Sequence, residues 1–147
     1  MKLFVDTNVM LDLIAHREPF YGDTVKLFSL VDRGEIGATV AAMSYSTCAY
    51  VLENKMTHEE LSLALRLFSS IVSVAAVDEK VVRKAIAEDC RFTDIEDAMQ
   101  YYAAIQAGCD YIITRNQKDF RNSTIPVMST KEFLDLYTEK SQSPESP

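Results

Sequence analysis

The chain has 147 residues, of which 48% are apolar and 25% are charged, a balance typical of one folded domain rather than a disordered chain. Glycine and proline are scarce, at 4 residues each, which disfavours a loop-rich β protein and favours a helix-rich one. The net charge of −7 argues against nucleic acid as a partner, because phosphate binding relies on lysine and arginine. That argument weakens if the acids are clustered around divalent cations, since the cations would reverse the local field.

No apolar run is long enough to cross a membrane, and polar residues come too early for a secretion signal. The cysteines Cys48, Cys90 and Cys109 are odd in number and lack CxxC spacing, so we expect reduced thiols. Together these observations predict a cytoplasmic protein with no membrane segment.

Short apolar runs alternate with helical patterns along the chain. The predicted strands are Lys2–Val5, 38–43, 71–77, 111–114 and 126–128. Helices are predicted after Asp6, from Pro19 to Arg33, and from Ser44, Thr57, Asp78 (to near Asp89), Thr93 and Ser129. The strands are continuously apolar, which is typical of a parallel sheet covered on both faces. We therefore predict a helix-rich, three-layer α/β/α domain with a central, mainly parallel sheet over residues 1–140, followed by a disordered tail at 141–147.

Three groups of polar residues follow predicted strands or begin a predicted helix, and the first two consist of acids. Asp6 follows the first strand, where parallel sheets place their sites, although it could equally cap the next helix. In the second group, Thr93 is the predicted N-cap with Glu96 as its capping-box partner. Asp94 and Asp97 then share one helical face. Acids in a first turn compensate the helix dipole, but three in four positions exceed that need and would repel one another without a cation.

A third group lies at the end of the predicted strand 111–114, which delivers Thr114, Asn116 and Asp119 to the same edge of the sheet. Arg115, Lys118 and Arg121 are interleaved there and either contact phosphates or solubilise the loop. Oxygen ligands without histidine or cysteine suit Mg²⁺ or Mn²⁺. Two such ions about 4 Å apart can activate water against a phosphodiester. Both histidines, His16 and His58, are expected at the surface.

The segments VDTNVMLDL (5–13), EDAMQ (96–100) and ITRNQKDF (113–120) together resemble the PIN-domain family, the ribonuclease fold of VapC-type toxins. The likeness extends over residues 1–135 and includes REPFY at 17–21. It implies metal-dependent endonucleolytic cleavage of RNA with Mg²⁺ or Mn²⁺. In this resemblance Asp6 and Asp97 match family acids, and Asn116 stands where many members have a further acid.

The family's second acid is missing, because its expected position holds Ala49. Glu53, one helical turn later, either replaces it or is a surface acid. The gap leaves open a degenerate PIN domain that binds RNA or protein without cutting. A haloacid-dehalogenase phosphatase would need an aspartate where Asn8 stands, and a response-regulator receiver would need an acidic pair ahead of its phosphoacceptor strand.

The resemblance and the residue patterns together give a set of candidate site residues. The predicted catalytic acids are Asp6, Asp94 and Asp97, the predicted metal ligands are these three with Glu53, Asn116 and Asp119, and the predicted substrate contacts are Asn8, Thr114, Arg115 and Lys118. Expected partners are RNA, an antitoxin protein and a second copy in a homodimer. Four apolar residues either form such interfaces or belong to the core: Tyr45, Tyr50, Leu65 and Phe68.

Overall fold

The computed structural model describes residues 1–142. The strands are β1 Lys2–Val5, β2 Gly37–Ala41, β3 Ser73–Ala75, β4 Tyr111–Ile113 and β5 Val127–Met128. The helices are α1 Thr7–Ile14, α2 Tyr21–Asp32, α3 Ala42–Leu52, α4 His58–Ser69, α5 Glu79–Ala85, α6 Ile95–Gln106 and α7 Thr130–Gln142, with a 3₁₀ turn at Gln117–Phe120. No helix in this part of the chain is long and apolar enough to cross a membrane.

The five strands form one parallel sheet in the order β3-β2-β1-β4-β5. Leu3 and Val5 face one apolar core, which is covered by α1 to α4 and α7. Phe4 points to the other side, into a second core with residues of α5, α6 and the 3₁₀ turn. The predicted three-layer architecture with a parallel sheet is therefore confirmed. Strand order reverses between β1 and β4, so their carboxyl ends border a crevice.

Three predicted helix caps are confirmed. Thr57 accepts a hydrogen bond from the Glu60 amide at 3.1 Å, Asp78 from Val81 at 3.0 Å, and Ser129 from Glu132 at 3.1 Å. The fourth is wrong by one residue. Asp94, not Thr93, is the N-cap of α6, and its carboxylate accepts the Asp97 amide at 3.0 Å. An aspartate is at least as good a cap as threonine, so α6 begins one residue later than predicted.

Several element boundaries differ from the predictions. The strand predicted at 38–43 ends at Ala41, because α3 begins at Ala42 and takes in the last two residues. The strand predicted at 71–77 shortens to Ser73–Ala75, and the helix after Asp78 ends at Ala85. In the predicted tail, residues 141 and 142 belong to α7, while 143–147 lie outside the described residues.

The remaining expectations concern single side chains. His16 and His58 are exposed, as predicted. Cys48, Cys90 and Cys109 are free thiols. Of the four apolar residues that could serve interfaces, Phe68 is buried in the first core, Tyr45 and Leu65 pack against it, and Tyr50 is 76% exposed.

Candidate active site

Asp6 lies at the crevice between β1 and β4, and its carboxylate is buried, with 3% of the residue exposed. Its backbone amide donates to the Ile113 carbonyl at 3.0 Å, and the Thr114 hydroxyl donates to its Oδ2 at 2.8 Å. Asp6 occupies the N-cap position of α1, but its side chain makes no capping hydrogen bond. The carboxylate therefore faces the crevice from the N-cap position, where Thr114 holds it and the amides of Thr7 and Asn8 also lower its pKa.

Burial raises the pKa of Asp6, while hydrogen bonds from Thr114 and Gln100 oppose that rise. The Asp6 carboxylate is thus buried, and the hydrogen-bond donors around it fix its orientation. A nearby cation would favour its ionised form.

A buried hydrogen-bond network ties α1, α3 and α6 together beneath this carboxylate. The Thr7 amide and hydroxyl both donate to Gln100 Oε1, at 3.1 and 3.2 Å, and the Thr7 hydroxyl lies 2.7 Å from Ser44 Oγ. Sequence reasoning assigned no role to Gln100 or Ser44. Gln100 follows Asp97 by three residues and so shares its face of α6, which is the pattern that would have revealed it.

The acids converge on one open cavity of about 340 Å³. Its lining comprises Asp6, Thr7, Asn8, Leu11, Arg17, Thr47, Val51, Asp94, Glu96, Asp97, Gln100, Asn116 and Asp119. We call it the carboxylate cavity. Desolvation, followed by repulsion from Asp94, Asp6, Asp119 and Glu96 in that order, raises the pKa of Asp97 to about 7. Five carboxylates therefore act on one another at this edge of the sheet.

Glu96 is a cavity residue that sequence reasoning misplaced as a capping partner. Because Asp94 is the cap, the third helical position belongs to Asp97, and the Glu96 side chain meets Thr47 of α3 instead. Burial raises the pKa of Glu96, as do the charges of Asp94 and Asp6, while a hydrogen bond with Thr47 lowers it. Glu96 thus approaches the α3 side of the cavity, where the resemblance left a missing acid.

Glu53 does not line the cavity, which counts against its prediction as a metal ligand. Thr47 and Val51, four residues apart, give the face of α3 that borders the cavity. Ala49 and Glu53 each follow one of these residues by two positions, a rotation of about 200°, so both lie on the opposite face of α3. Glu53 is exposed at the end of α3, so the structure favours the surface-acid interpretation.

Two of the predicted substrate contacts have internal partners instead. Thr114 is completely buried and bonds Asp6, so it orients that carboxylate. Arg115 forms a double hydrogen bond with buried Asp12, at 2.8 and 3.1 Å, and lies over the Phe20 ring at 3.9 Å. Its charge is thereby paired within the fold.

The other predicted contacts lie at or beside the carboxylate cavity. Asn8, Asn116 and Asp119 line it, and Lys118 borders a smaller neighbouring cavity that shares Asp119. Arg17, which sequence reasoning did not assign, is the cation among the cavity-lining residues of the described chain. It belongs to the REPFY segment, so the resemblance could have pointed to it.

Carboxylate and amide oxygens form the donor set of the cavity, which suits Mg²⁺ or Mn²⁺. Within residues 1–142, no three carboxylate, histidine or cysteine side chains stand close enough to ligate one ion in their present positions. Besides burial, repulsion from the neighbouring carboxylates raises the pKa of Asp97, and a divalent cation relieves repulsion of this kind. By donor chemistry and charge, the residues fit such an ion.

The sequence profile of the PIN domain matches residues 2–118. Among curated proteins, the chain is similar to Ribonuclease VapC1 of Aquifex aeolicus (strain VF5), with 28% identity over 139 residues, covering 92% of this chain and 95% of the relative.

Solved structures show the same fold at low identity. A toxin–antitoxin complex from Klebsiella pneumoniae matches with a TM-score of 0.64 and 18% identity, over 88% of this chain and 98% of the other. VapBC2 from Rickettsia felis, bound to a DNA fragment from its promoter, matches with a TM-score of 0.63 and 16% identity over the same shares. The Mycobacterium tuberculosis toxin VapC20, which cleaves the sarcin–ricin loop, matches with a TM-score of 0.59 and 17% identity, over 75% and 86%.

Proposed function

Because the chain belongs to the PIN domain family, we propose that it is a metal-dependent endoribonuclease that hydrolyses RNA phosphodiesters. The observation that carries the proposal is the carboxylate cavity. Its five acids lie at the carboxyl edge of the sheet, where burial, followed by repulsion from the other four, raises the pKa of Asp97 to about 7. Carboxylates this close repel one another and so do not stabilise the fold, whereas a bound cation would favour their ionised forms. The similarity to a curated ribonuclease over nearly the whole chain supports the same activity.

The chain's own residues would share the work as follows. Asp6, Asp94, Asp97 and Asp119 would hold Mg²⁺ or Mn²⁺, with Asn116 and Glu96 nearby. When bound, such an ion activates water and stabilises the developing charge on phosphate. Thr114 and Gln100 keep the Asp6 carboxylate in one orientation.

Two residues of the cavity face the substrate in this proposal. Arg17 brings a guanidinium to an otherwise acidic lining and would contact the phosphate. Asn8, at the start of α1, offers an amide to the substrate.

The test is cleavage of single-stranded RNA in Mn²⁺ by the Asp6→Asn variant. Asn is nearly isosteric and still accepts from Thr114, so we expect a folded protein whose cleavage rate falls by about 100-fold or more. Asp135→Asn, the same charge change at an exposed position of α7, should cut like the wild type. Circular dichroism would verify the fold of both. Undiminished cleavage by Asp6→Asn would contradict the assignment as a metal-dependent ribonuclease.

A second candidate is a PIN domain that binds RNA or protein without cutting. It is favoured by the absence of an acid on the cavity face of α3, where Thr47 and Val51 stand. Calorimetric titration with Mn²⁺ discriminates between the two. A folded chain that binds no Mn²⁺ would support the non-cutting domain, and saturable binding lost in Asp6→Asn would support the nuclease.

We also propose an antitoxin protein as a partner, because two structural neighbours are a toxin–antitoxin complex and VapBC2. A homodimer acting in the cytoplasm is proposed as well. Large apolar side chains exposed on α3 and α4 are available for either interface: Tyr50 at 76%, Leu63 at 50% and Leu67 at 62% exposure. Leu63 and Leu67 are four residues apart and share one face of α4.

A further inference from the structure

A second, smaller cavity of about 80 Å³ adjoins the carboxylate cavity and shares Asp119 with it. Three cations line it: Arg91 from the loop before α6, and Lys118 and Arg121 from the 3₁₀ turn and the residue that follows it. We call these three residues the basic cluster. The short 3₁₀ turn that carries Asp119 therefore lies between a cavity lined by carboxylates and a cavity lined by cations.

The backbone that carries the basic cluster is held in place. Asn122 Nδ2 donates to the Arg91 carbonyl at 2.9 Å, which ties the end of the 3₁₀ turn to the loop before α6. Phe92 stacks on Tyr101 with ring centroids 4.7 Å apart and meets Phe120 edge-on at 6.2 Å. The attachment points are thus fixed, which lowers the entropic cost of gathering the side chains around a ligand.

In the described part of the chain, the three cations of the basic cluster form no salt bridge with a carboxylate. Within residues 1–142, none of Arg91, Lys118 and Arg121 forms a salt bridge, whereas Arg33, Arg83 and Arg115 each do. All three members of the basic cluster are exposed. Like charges gathered on one small cavity repel unless an anion joins them. Asp119 is the one acid among the residues that line this cavity, and it forms no salt bridge with the three cations in residues 1–142, so positive charge is in excess there and an external anion would balance it.

We infer that the basic cluster binds a backbone phosphate of single-stranded RNA, next to the phosphate that lies in the carboxylate cavity. The inference rests on the proposed function for the identity of the anion. An RNA strand carries one phosphate per nucleotide, so a strand entering the carboxylate cavity must pass a neighbouring phosphate over its rim. The guanidinium fork of Arg91 and Arg121 matches phosphate geometry. The cations also offset the repulsion between RNA and the five acids, within a Debye length of about 8 Å.

The test is binding of a short, end-labelled single-stranded RNA, followed by fluorescence anisotropy in EDTA so that no metal-dependent cleavage occurs. We expect Arg91→Gln/Arg121→Gln to weaken binding by about 10-fold or more. The slope of log K against log salt should fall in magnitude by about 0.7, the value for one lost phosphate contact on a single strand. The matched control is Lys80→Gln/Lys84→Gln, two exposed cations on α5 with the same change in net charge, which should lose less than about 2-fold.

Equal losses in the two double variants, or none in either, would overturn the inference. So would unchanged RNA binding together with lost binding of a poly-glutamate peptide, since the cluster would then serve a protein partner. Failure of the proposed function is seen separately. If the wild type binds RNA through the basic cluster but does not cut it in Mn²⁺, the inference stands and the nuclease assignment falls. If both double variants bind RNA and cut it like the wild type, the inference falls and the nuclease assignment stands.

Discussion

Asp12 illustrates at the scale of one residue how a charge can be structural although it lies close to the site. Its carboxylate is 1% exposed, and burial raises its pKa, while the double hydrogen bond from Arg115 opposes the rise. Arg115 is itself packed over Phe20. The pair joins α1 to the segment after β4 across a separation of 103 residues, so it fixes the relation between two strands that carry the site.

We therefore expect Arg115→Gln to lower the free energy of unfolding by about 2–4 kcal/mol, because it leaves a buried carboxylate without its counter-charge. Arg66→Gln, an exposed cation on α4, should cost less than about 0.5 kcal/mol. Adding Asp12→Asn to Arg115→Gln should recover part of the loss. Urea denaturation measures all three, and an Arg115→Gln loss no larger than that of Arg66→Gln would show that the pair contributes nothing.

At the scale of elements, Asp94 has two separable functions, as the N-cap of α6 and as an acid of the carboxylate cavity. Asp94→Ala removes both, so stability should fall by about 1 kcal/mol and Mn²⁺ affinity by about 10-fold or more. Asp94→Asn keeps the cap but loses the charge, so only Mn²⁺ affinity should fall. Asp78 caps α5 in the same way, outside the cavity.

Asp78→Ala is therefore the matched control, with the same loss of stability and unchanged Mn²⁺ affinity. Denaturant unfolding and calorimetry give the two readouts. If Asp94→Asn binds Mn²⁺ as the wild type does, Asp94 is a cap and not a ligand.

The elements themselves were largely predictable, because continuous apolar strands and helix caps depend on neighbouring residues. The strand after α4 was overestimated, since its β-branched residues continue beyond the three that pair with β2. Within the site, the sequence placed Asp6, Asp94 and Asp97 correctly at one edge of the sheet. The sequence did not predict Glu96 as a cavity residue, because moving the cap from Thr93 to Asp94 frees Glu96 from its predicted role as capping partner. The partner of Arg115 could not be predicted, because only the folded chain brings Asp12 near it.

For the whole molecule, the carboxylate cavity makes stability depend on pH with a defined sign. A carboxyl whose pKa is raised on folding binds its proton more tightly in the folded state, so it favours folding at low pH. That contribution is lost as the pH rises from the ordinary value of 3.8 through the folded value of about 7 for Asp97. Asp6 and Glu96, whose pKa values are also raised, act in the same direction.

In EDTA, the midpoint of thermal unfolding should therefore fall by a few degrees between about pH 5 and pH 8, a modest change because solvent screens the half-exposed Asp97. Saturating Mg²⁺ should remove the fall, since the cation takes the place of the proton and binds only the folded state. Asp97→Asn should flatten the EDTA profile, whereas Asp135→Asn, the same charge change on α7, should not. A profile in EDTA that is equally steep for wild type and Asp97→Asn would show that the titration of Asp97 does not govern the pH dependence of stability.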